Sequence, residues 1–213
     1  MAFLPTSPVT LEGGCMCKAV RYTVKIPALK ERPISAKAVT YHYGKKLDGL
    51  TRMPFVTIDH CESCRLSCGG LVQSWMIMPQ PWVTFHLKNP TQMSSSGREY
   101  STKDVIMPSK EVLDSTTVRS YKSSEDVHRT FCGTCGSTLT YGFDGNETSP
   151  YGPILDLTVG TLDRESLESD GFRVDRQGWW DDGICWIRDL FRNCDDGIVV
   201  NKETVTGPIV EGV

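Results

Sequence analysis

The chain has 213 residues, a formal net charge of −3, and 39% hydrophobic against 23% charged residues. That is enough apolar material for one packed domain and argues against wholesale disorder. The acidic balance excludes a nucleic-acid surface spread over the whole chain, and no apolar run reaches the roughly 18 residues of a membrane span.

Residues 1–11 carry two prolines and read as a flexible lead-in, without the basic-then-apolar pattern of a secretory signal. A cytoplasmic protein with neither membrane nor nucleic acid as a partner is therefore expected. Val20, Tyr22, Val24 and Ile26 alternate with Arg21, Thr23 and Lys25, which predicts a strand with one wet face. Residues 27–57 hold three prolines and many basic residues, and read as a long connection with one added hairpin. Asp59 to Gly70 is a polar, cysteine-rich turn region. Leu71 to Met78 is strand-like and is stopped by Pro79 and Pro81. Residues 91–127 are rich in Ser, Thr and Lys and suggest no chemistry, with a short strand or turn over Val105 to Leu113. Two further strands are expected at Leu139-Tyr141-Phe143 and Leu155-Leu157-Val159, and one helical turn capped by Asp163 over Thr161 to Glu168. The class is mainly β: one domain over residues 12–195 with long loops, then a C-terminal extension at 196–213.

The nine cysteines are the outlying feature: Cys15, Cys17, Cys61, Cys64, Cys68, Cys132, Cys135, Cys185 and Cys194. An odd count fits a disulfide framework poorly. Cys15 and Cys17 are two apart, so on extended backbone both sulfurs point the same way. Cys132-Gly133-Thr134-Cys135-Gly136 reads as a zinc knuckle, whose small residues let a tight turn aim two thiolates inward. Together the two pairs could supply a four-sulfur tetrahedral site. A redox dithiol and a metal-free buried pair are the competing readings, although the βαβ context of a thioredoxin-type motif is absent.

The middle cluster, Asp59-His60-Cys61-Glu62-Ser63-Cys64-Arg65-Leu66-Ser67-Cys68, has too few obvious sulfurs to close a tetrahedron. Three protein ligands and an open position mark a catalytic zinc. Asp59 stands two residues before Cys61, the spacing of Cys15 and Cys17; Cys68 and His60 are rival third ligands. A surface turn with incidental cysteines is the alternative. His60 could shuttle a proton or be a plain surface histidine. Arg65 and Arg129 could grip a carboxylate, with structural salt bridging the stronger reading for Arg129. Trp179, Trp180 and Trp186 could wall a pocket with Asp181 and Asp182 on its rim, against core packing as the default for any one Trp. Cys185 and Cys194 read as ordinary buried thiols, and the sequon at Asn146 lacks a secretory context.

Taken in order, the strings Gly13-Gly14-Cys15-Met16-Cys17, Val20-Arg21-Tyr22, His60-Cys61-x-x-Cys64-Arg65, Arg129-x-Phe131-Cys132-x-x-Cys135-Gly136-Ser137-x-Leu139 and Val159-Gly160-Thr161-Leu162-Asp163 resemble a known family. It is the glutathione-dependent formaldehyde-activating enzyme family, which also includes centromere protein V. The resemblance covers roughly residues 12–190. It implies a tent-like zinc fold of small antiparallel sheets and two zinc ions per chain. One would be structural, on Cys15, Cys17, Cys132 and Cys135. The other would be of a catalytic type, at the middle cluster, where the spacing offers Asp59, Cys61 and Cys64 as its ligands with His60 and Arg65 flanking them. The implied reaction joins or splits a carbon–sulfur bond, as when glutathione adds to formaldehyde, so the partner would be a small molecule such as glutathione or its adduct. Three departures stand out: Asp59 replaces the first Cys of a middle C-x-C-x-x-C, Lys18 replaces a Gly after the first C-x-C, and the chain is longer. A carboxylate donates less charge than a thiolate, so the substitution at Asp59 makes the ion harder. Hydrolysis or elimination on an imine or hydroxy-amine is the alternative enzyme reading. A non-catalytic zinc module binding a protein is the alternative class, although the basic tail that chromatin association favours is missing.

Overall fold

Alternation of apolar and polar residues with period two builds two principal sheets. The computed structural model describes residues 4–35, 51–91, 97–143 and 152–192, with the backbone of 41–42, 45–46 and 199–200. The first strands are β1 (Val9–Gly14), β2 (Val20–Ile26), β3 (Ile34–Ser35), β4 (Tyr41–His42), β5 (Lys45–Lys46), β6 (Thr51–Arg52), β7 (Phe55–Asp59) and β8 (Gln73–Pro79). Then come β9 (Val83–Leu87), β10 (Arg98–Ser101), β11 (Val118–Ser124), β12 (Val127–Cys132), β13 (Thr138–Phe143), β14 (Ile154–Thr158), β15 (Arg176–Gly178) and β16 (Val199–Val200). The helices are short: α1 (Glu62–Cys68), α2 (Thr102–Ile106), α3 (Lys110–Ser115), α4 (Arg164–Leu167) and α5 (Cys185–Arg192).

One sheet has the order β1-β2-β9-β10 and the other β11-β12-β13-β14-β8-β7-β15-β16. The expected mainly β class holds. The larger sheet is antiparallel from β11 to β7, and parallel only where β15 joins β7 and β16. The hairpin expected within 27–57 is the β4–β5 ladder, next to a second small ladder of β3 with β6.

The core lies between the two sheets. Val20, Tyr22, Val24 and Ile26 of β2 and Phe85 of β9 share one buried cluster with Val56, Met76, Met78, Leu155 and Leu157 of the larger sheet. Burying each such large side chain contributes on the order of 1.5–3 kcal/mol. The alternate residues of β7, β8, β13 and β14 therefore project from the opposite face of the larger sheet.

Several elements differ from expectation. Residues 4–11 are anchored: Leu4 is buried, β1 begins at Val9, and Arg32 donates to the carbonyls of Pro5, Ser7 and Pro27. The short β-branched run of β7 is an inner strand of the larger sheet and not part of a connection. Over residues 102–115 the chain forms α2 and α3, not a strand. Ser101 and Asp104 make a reciprocal capping box, and Ser109 accepts from the Val112 N–H. These caps start helices too short to show a periodicity. Likewise the turn region after Asp59 contains α1, ended by Gly69 at φ 69°, a left-handed conformation that glycine adopts without penalty. Asp163 does sit at the N-cap of α4, but its carboxylate goes to Arg21 instead of capping. Of the extension at 196–213, only the backbone of β16 falls among the described residues.

Candidate metal centres

The closed group forms where the β1–β2 turn meets the turn after β12. Cys15 follows β1, and its backbone and sulfur accept from the N–H groups of Lys18 and Val20, which folds the turn around it. In the second turn the Gly136 N–H reaches the Cys132 carbonyl at 2.8 Å, with Gly136 at φ 73°. Ser137 joins the halves, contacting the Met16 N–H at 3.2 Å and the Cys135 sulfur at 3.3 Å. The ligand atoms of Cys15, Cys17, Cys132 and Cys135 lie within 4.8 Å of one another. Two of the sulfur separations, Cys15–Cys17 and Cys17–Cys132, are 3.5 and 3.6 Å. A Zn–S bond of about 2.3 Å gives a tetrahedral edge of about 3.8 Å, so the spacing suits one ion and is far beyond a disulfide. Burial pushes the Cys15 thiol up to about 12 and raises Cys17 as well. Burial also acts on Cys135, but hydrogen bonds from Ser137 and Cys17 outweigh it and bring that thiol down to about 6. Four thiolates packed this closely repel one another, and a cation removes that cost.

The second group is assembled by the end of β7 and the start of α1. Asp59 is the last residue of β7, Cys61 is the N-cap of α1, and Cys64 lies in its first turn. The Cys61 N–H donates to Asp59 Oδ1 at 2.8 Å. The three ligand atoms lie within 4.8 Å of one another, and among the described residues no fourth donor joins them. The Cys64 thiol and the backbone N–H groups of Cys64 and Ser63 hold Cys61 down at about 6, against its burial. Cys64 is raised far above the usual thiol range, first by that hydrogen bond and then by burial. Burial pushes Asp59 up to about 7 despite the Cys61 N–H. Both groups could hold a metal ion.

Arg129 of β12 fixes α1 against the sheet. It is buried and donates to Ser67 Oγ at 3.1 Å, Ser63 Oγ at 3.0 Å and the Cys64 sulfur at 3.5 Å. Its guanidinium lies 4.7 Å over the Tyr141 ring. The salt bridging expected of Arg129 is absent among the described residues; it binds hydroxyls, a sulfur and a ring.

Asp59, Cys61 and Cys64 line a cavity of about 460 Å³. Its floor is the outer face of the larger sheet, and Trp75, Arg129, Tyr141 and Asp156 are among its lining residues. Ser123 and Ser124 of β11 also line it, although the sequence around them suggests no chemistry. Tyr141 pairs with Arg129 on one side and with Asp156 on the other, and Asp156 in turn with Ile77, so one row of side chains crosses the sheet. The sequence reading missed Tyr141 and Asp156 as site residues. The alternation of Leu155, Asp156 and Leu157 places Asp156 on the non-core face, but only strand pairing reveals a cavity there.

Other expected site residues lie elsewhere. His60 is buried on the far side of Asp59, with Nε2 2.8 Å from Gln177 Oε1 and its ring edge-on to Trp180 and Phe191. Arg65 pairs with Glu62, and neither His60 nor Arg65 lines the cavity. The Cys68 sulfur meets the backbone of Arg65, Gly70 and Val72, apart from the three-donor group. Of the three tryptophans only Trp179 lines the cavity; Trp180 packs on His60, and Trp186 is exposed. Asp181 and Asp182 are exposed and do not rim it. Cys185 is exposed at the start of α5, contrary to its expected burial, while Cys194 and the Asn146 sequon lie outside the described residues.

No helix among the described residues is long and apolar enough to cross a membrane. No protein-family model and no curated protein sequence matches the chain.

Proposed function

We propose that the chain is a zinc-dependent enzyme of the carbon–sulfur lyase type, similar to the glutathione-dependent formaldehyde-activating enzymes, acting on a small aldehyde, hemithioacetal or related adduct in the cytoplasm. One observation carries this reading: a three-donor group, mixed thiolate and carboxylate, lines a cavity large enough for a small molecule. The donor set suits zinc, which binds Cys sulfur and carboxylate oxygen and leaves a position free when only three protein ligands are present. Zinc held there supplies Lewis acidity toward a carbonyl oxygen and keeps a thiolate ionised near neutral pH.

The chain's own residues do the rest. Asp59, Cys61 and Cys64 hold the ion at the cavity lining. Arg129 keeps Cys64 in place by tying α1 to β12. Trp75, Tyr141 and Phe143 form an aromatic wall against which the adduct packs, with Phe143 exposed and Tyr141 kept a neutral phenol because burial pushes it up to about 12. In the addition direction the substrate sulfur bonds to the carbonyl carbon, and the thiol proton ends on the carbonyl oxygen; the reverse direction splits the same bond.

The carboxylate of Asp59 favours a second reaction as well, hydrolysis or elimination on an imine or hydroxy-amine, because it makes the ion harder than a third thiolate does. The test measures exchange between free and thiol-bound aldehyde by NMR, with zinc-loaded protein and formaldehyde plus glutathione as the reference pair, beside imine hydrolysis under the same conditions. Acceleration of either, lost in Cys61→Ala, supports the enzyme reading and tells the two reactions apart. No acceleration of either by protein carrying two zinc ions per chain overturns it in favour of a binding module.

A further inference from the structure

The cavity contains a carboxylate that the metal centre does not use. Asp156 sits in the middle of the larger sheet, flanked in sequence by the buried Leu155 and Leu157. It lines the cavity, and among the described residues nothing forms a hydrogen bond or ion pair with it. Asp156 is half-buried, so its carboxylate opens to the cavity and is left to whatever occupies it. The cavity's arginine reaches it only through its charge, which partly offsets the rise of the carboxyl, and makes no hydrogen bond or ion pair with it. Arg129 is engaged by Ser63, Ser67 and Cys64, and Tyr141 stands between the two residues in the sheet. Two strand spacings, about 10 Å, separate their backbones.

The surroundings have a definite chemistry. The rings of Trp75 and Tyr141 are 6.2 Å apart and those of Tyr141 and Phe143 5.6 Å, giving a continuous aromatic surface beside Asp156. Aromatic faces attract cations; the Arg129 guanidinium already lies 4.7 Å over one face of Tyr141, which leaves Trp75 and Phe143 as the other aromatic faces. We propose that the cavity takes a small molecule carrying a protonated amine, with Asp156 as the anchor for the ammonium and the aromatic wall as the bed for its apolar body. The reading of Asp59, Cys61 and Cys64 as an open metal centre sets only where the reacting carbon lies; the anchor itself does not depend on it. Burial, and then the charge of Asp59, push the Asp156 carboxyl up to about 8, and the partner that reverses such a shift is a cation. An adduct of glutathione brings two carboxylates with its single ammonium, and among the described residues that line the cavity the one cation, Arg129, is engaged by Ser63, Ser67 and Cys64. The amine-bearing substrate is thus an electrophile of the aldehyde, imine or hydroxy-amine kind, smaller and less anionic than a glutathione adduct.

The test uses the full-length protein at pH 7 and four probes: benzylamine, benzyl alcohol, benzoate and S-methylglutathione. Binding is followed by calorimetry and by fluorescence of the cavity tryptophans, with zinc content measured on every sample. Benzylamine is expected to bind at least about tenfold more tightly than benzyl alcohol, and the two anions more weakly still. Asp156→Asn should erase that preference with benzyl alcohol unchanged, and Asp156→Glu should keep part of it; circular dichroism reports whether each variant folds. Failure of benzylamine to bind, benzoate or S-methylglutathione binding as tightly, or a preference that survives Asp156→Asn overturns the anchor. The metal reading fails separately: zinc missing at the open group, with the amine preference intact, leaves the anchor standing and removes the metal centre.

Discussion

Strand β12 serves both cysteine groups, and it serves them differently. At its end Cys132 contributes a fourth-corner sulfur beside Cys15, Cys17 and Cys135, and the group closes. Three residues earlier Arg129 meets the other group, but it offers Cys64 a hydrogen bond and no ligand. An odd spacing on a strand puts the two side chains on opposite faces, one toward the core and one toward the cavity. Whether a cluster closes or stays open is thus settled by which residue the facing strand presents. The closed group ties together turns more than a hundred residues apart in sequence, whereas the open one draws all three donors from residues 59–64. The first can hold the fold together; the second can be lost with little harm to it.

The sharpest way to break this contrast is Cys132→Ser. A structural zinc contributes apparent binding energy of about 10–16 kcal/mol, more than the whole stability of many domains. Insoluble or molten protein is the expected result, read by near-ultraviolet circular dichroism and metal content. A soluble Cys132→Ser protein with an unchanged thermal midpoint would remove the structural role of the closed group.

Cys61→Ala should act on the open group alone. Metal content should drop from about two to about one per chain, turnover should vanish, and the near-ultraviolet spectrum should stay native. Asp59→Ala should weaken metal and turnover together. Cys68→Ala, apart from the group, should change stability by no more than about 0.5 kcal/mol and leave the metal count intact. The roles of Asp59 and Cys68 are exchanged if Cys68→Ala sheds one metal and Asp59→Ala sheds none.

Both cysteine groups were legible in the sequence because their ligands come as pairs at fixed local spacing. Cys15-x-Cys17, Cys132-x-x-Cys135 and Asp59-x-Cys61-x-x-Cys64 each form within one turn, and turn chemistry is a short-range property. The strands at Val20–Ile26 and Thr138–Phe143 were legible for a related reason, their strict alternation. The cavity was not. Tyr141, Asp156 and Trp75 are brought together by the pairing of β13, β14 and β8, and nothing in any one strand records its neighbours. His60 misled because its adjacency to Asp59 in sequence implied adjacency in the site. On a chain leaving β7, successive side chains diverge, and His60 turns to Gln177. Helices α2 and α3 were hidden because their signal is capping, carried by Ser101 and Ser109, in segments too short for a periodicity.

Arg129→Met tests how the open group is held. It keeps much of the side-chain volume but removes the donors to Ser63, Ser67 and Cys64. Hydrogen bonds to a charged group are worth about 1.5–3 kcal/mol each, and the freed serine hydroxyls can turn elsewhere, so a net loss of about 2–4 kcal/mol is expected. At this chain length each kcal/mol lowers the thermal midpoint by about 2–4 °C. Metal at the open group should weaken more than metal at the closed one, which Arg129 does not touch. Equal loss of both metals would mean that Arg129 supports the fold as a whole and not the open group in particular.

The smallest expected effect concerns the turn that carries the closed group. Lys18 follows Cys17 at φ 64°, a left-handed conformation, and its N–H donates to the Cys15 carbonyl at 2.9 Å. For a residue with a Cβ that conformation costs roughly 1–2 kcal/mol, which glycine avoids. Against this, glycine gains roughly 0.4–1 kcal/mol of conformational freedom in the unfolded chain. Lys18→Gly should therefore stabilise by between zero and about 1.6 kcal/mol, a rise of at most about 6 °C in the thermal midpoint, with metal at the closed group retained. The control is Lys25→Gly, at an exposed position inside β2. There extended backbone suits any side chain, and glycine should cost about 0.5–1 kcal/mol. Opposite signs for the two substitutions show that the lysine at 18 is tolerated against its backbone, held there by a cysteine turn stable enough to absorb the cost. The same sign for both would place the effect in the unfolded chain and leave the left-handed turn energetically neutral.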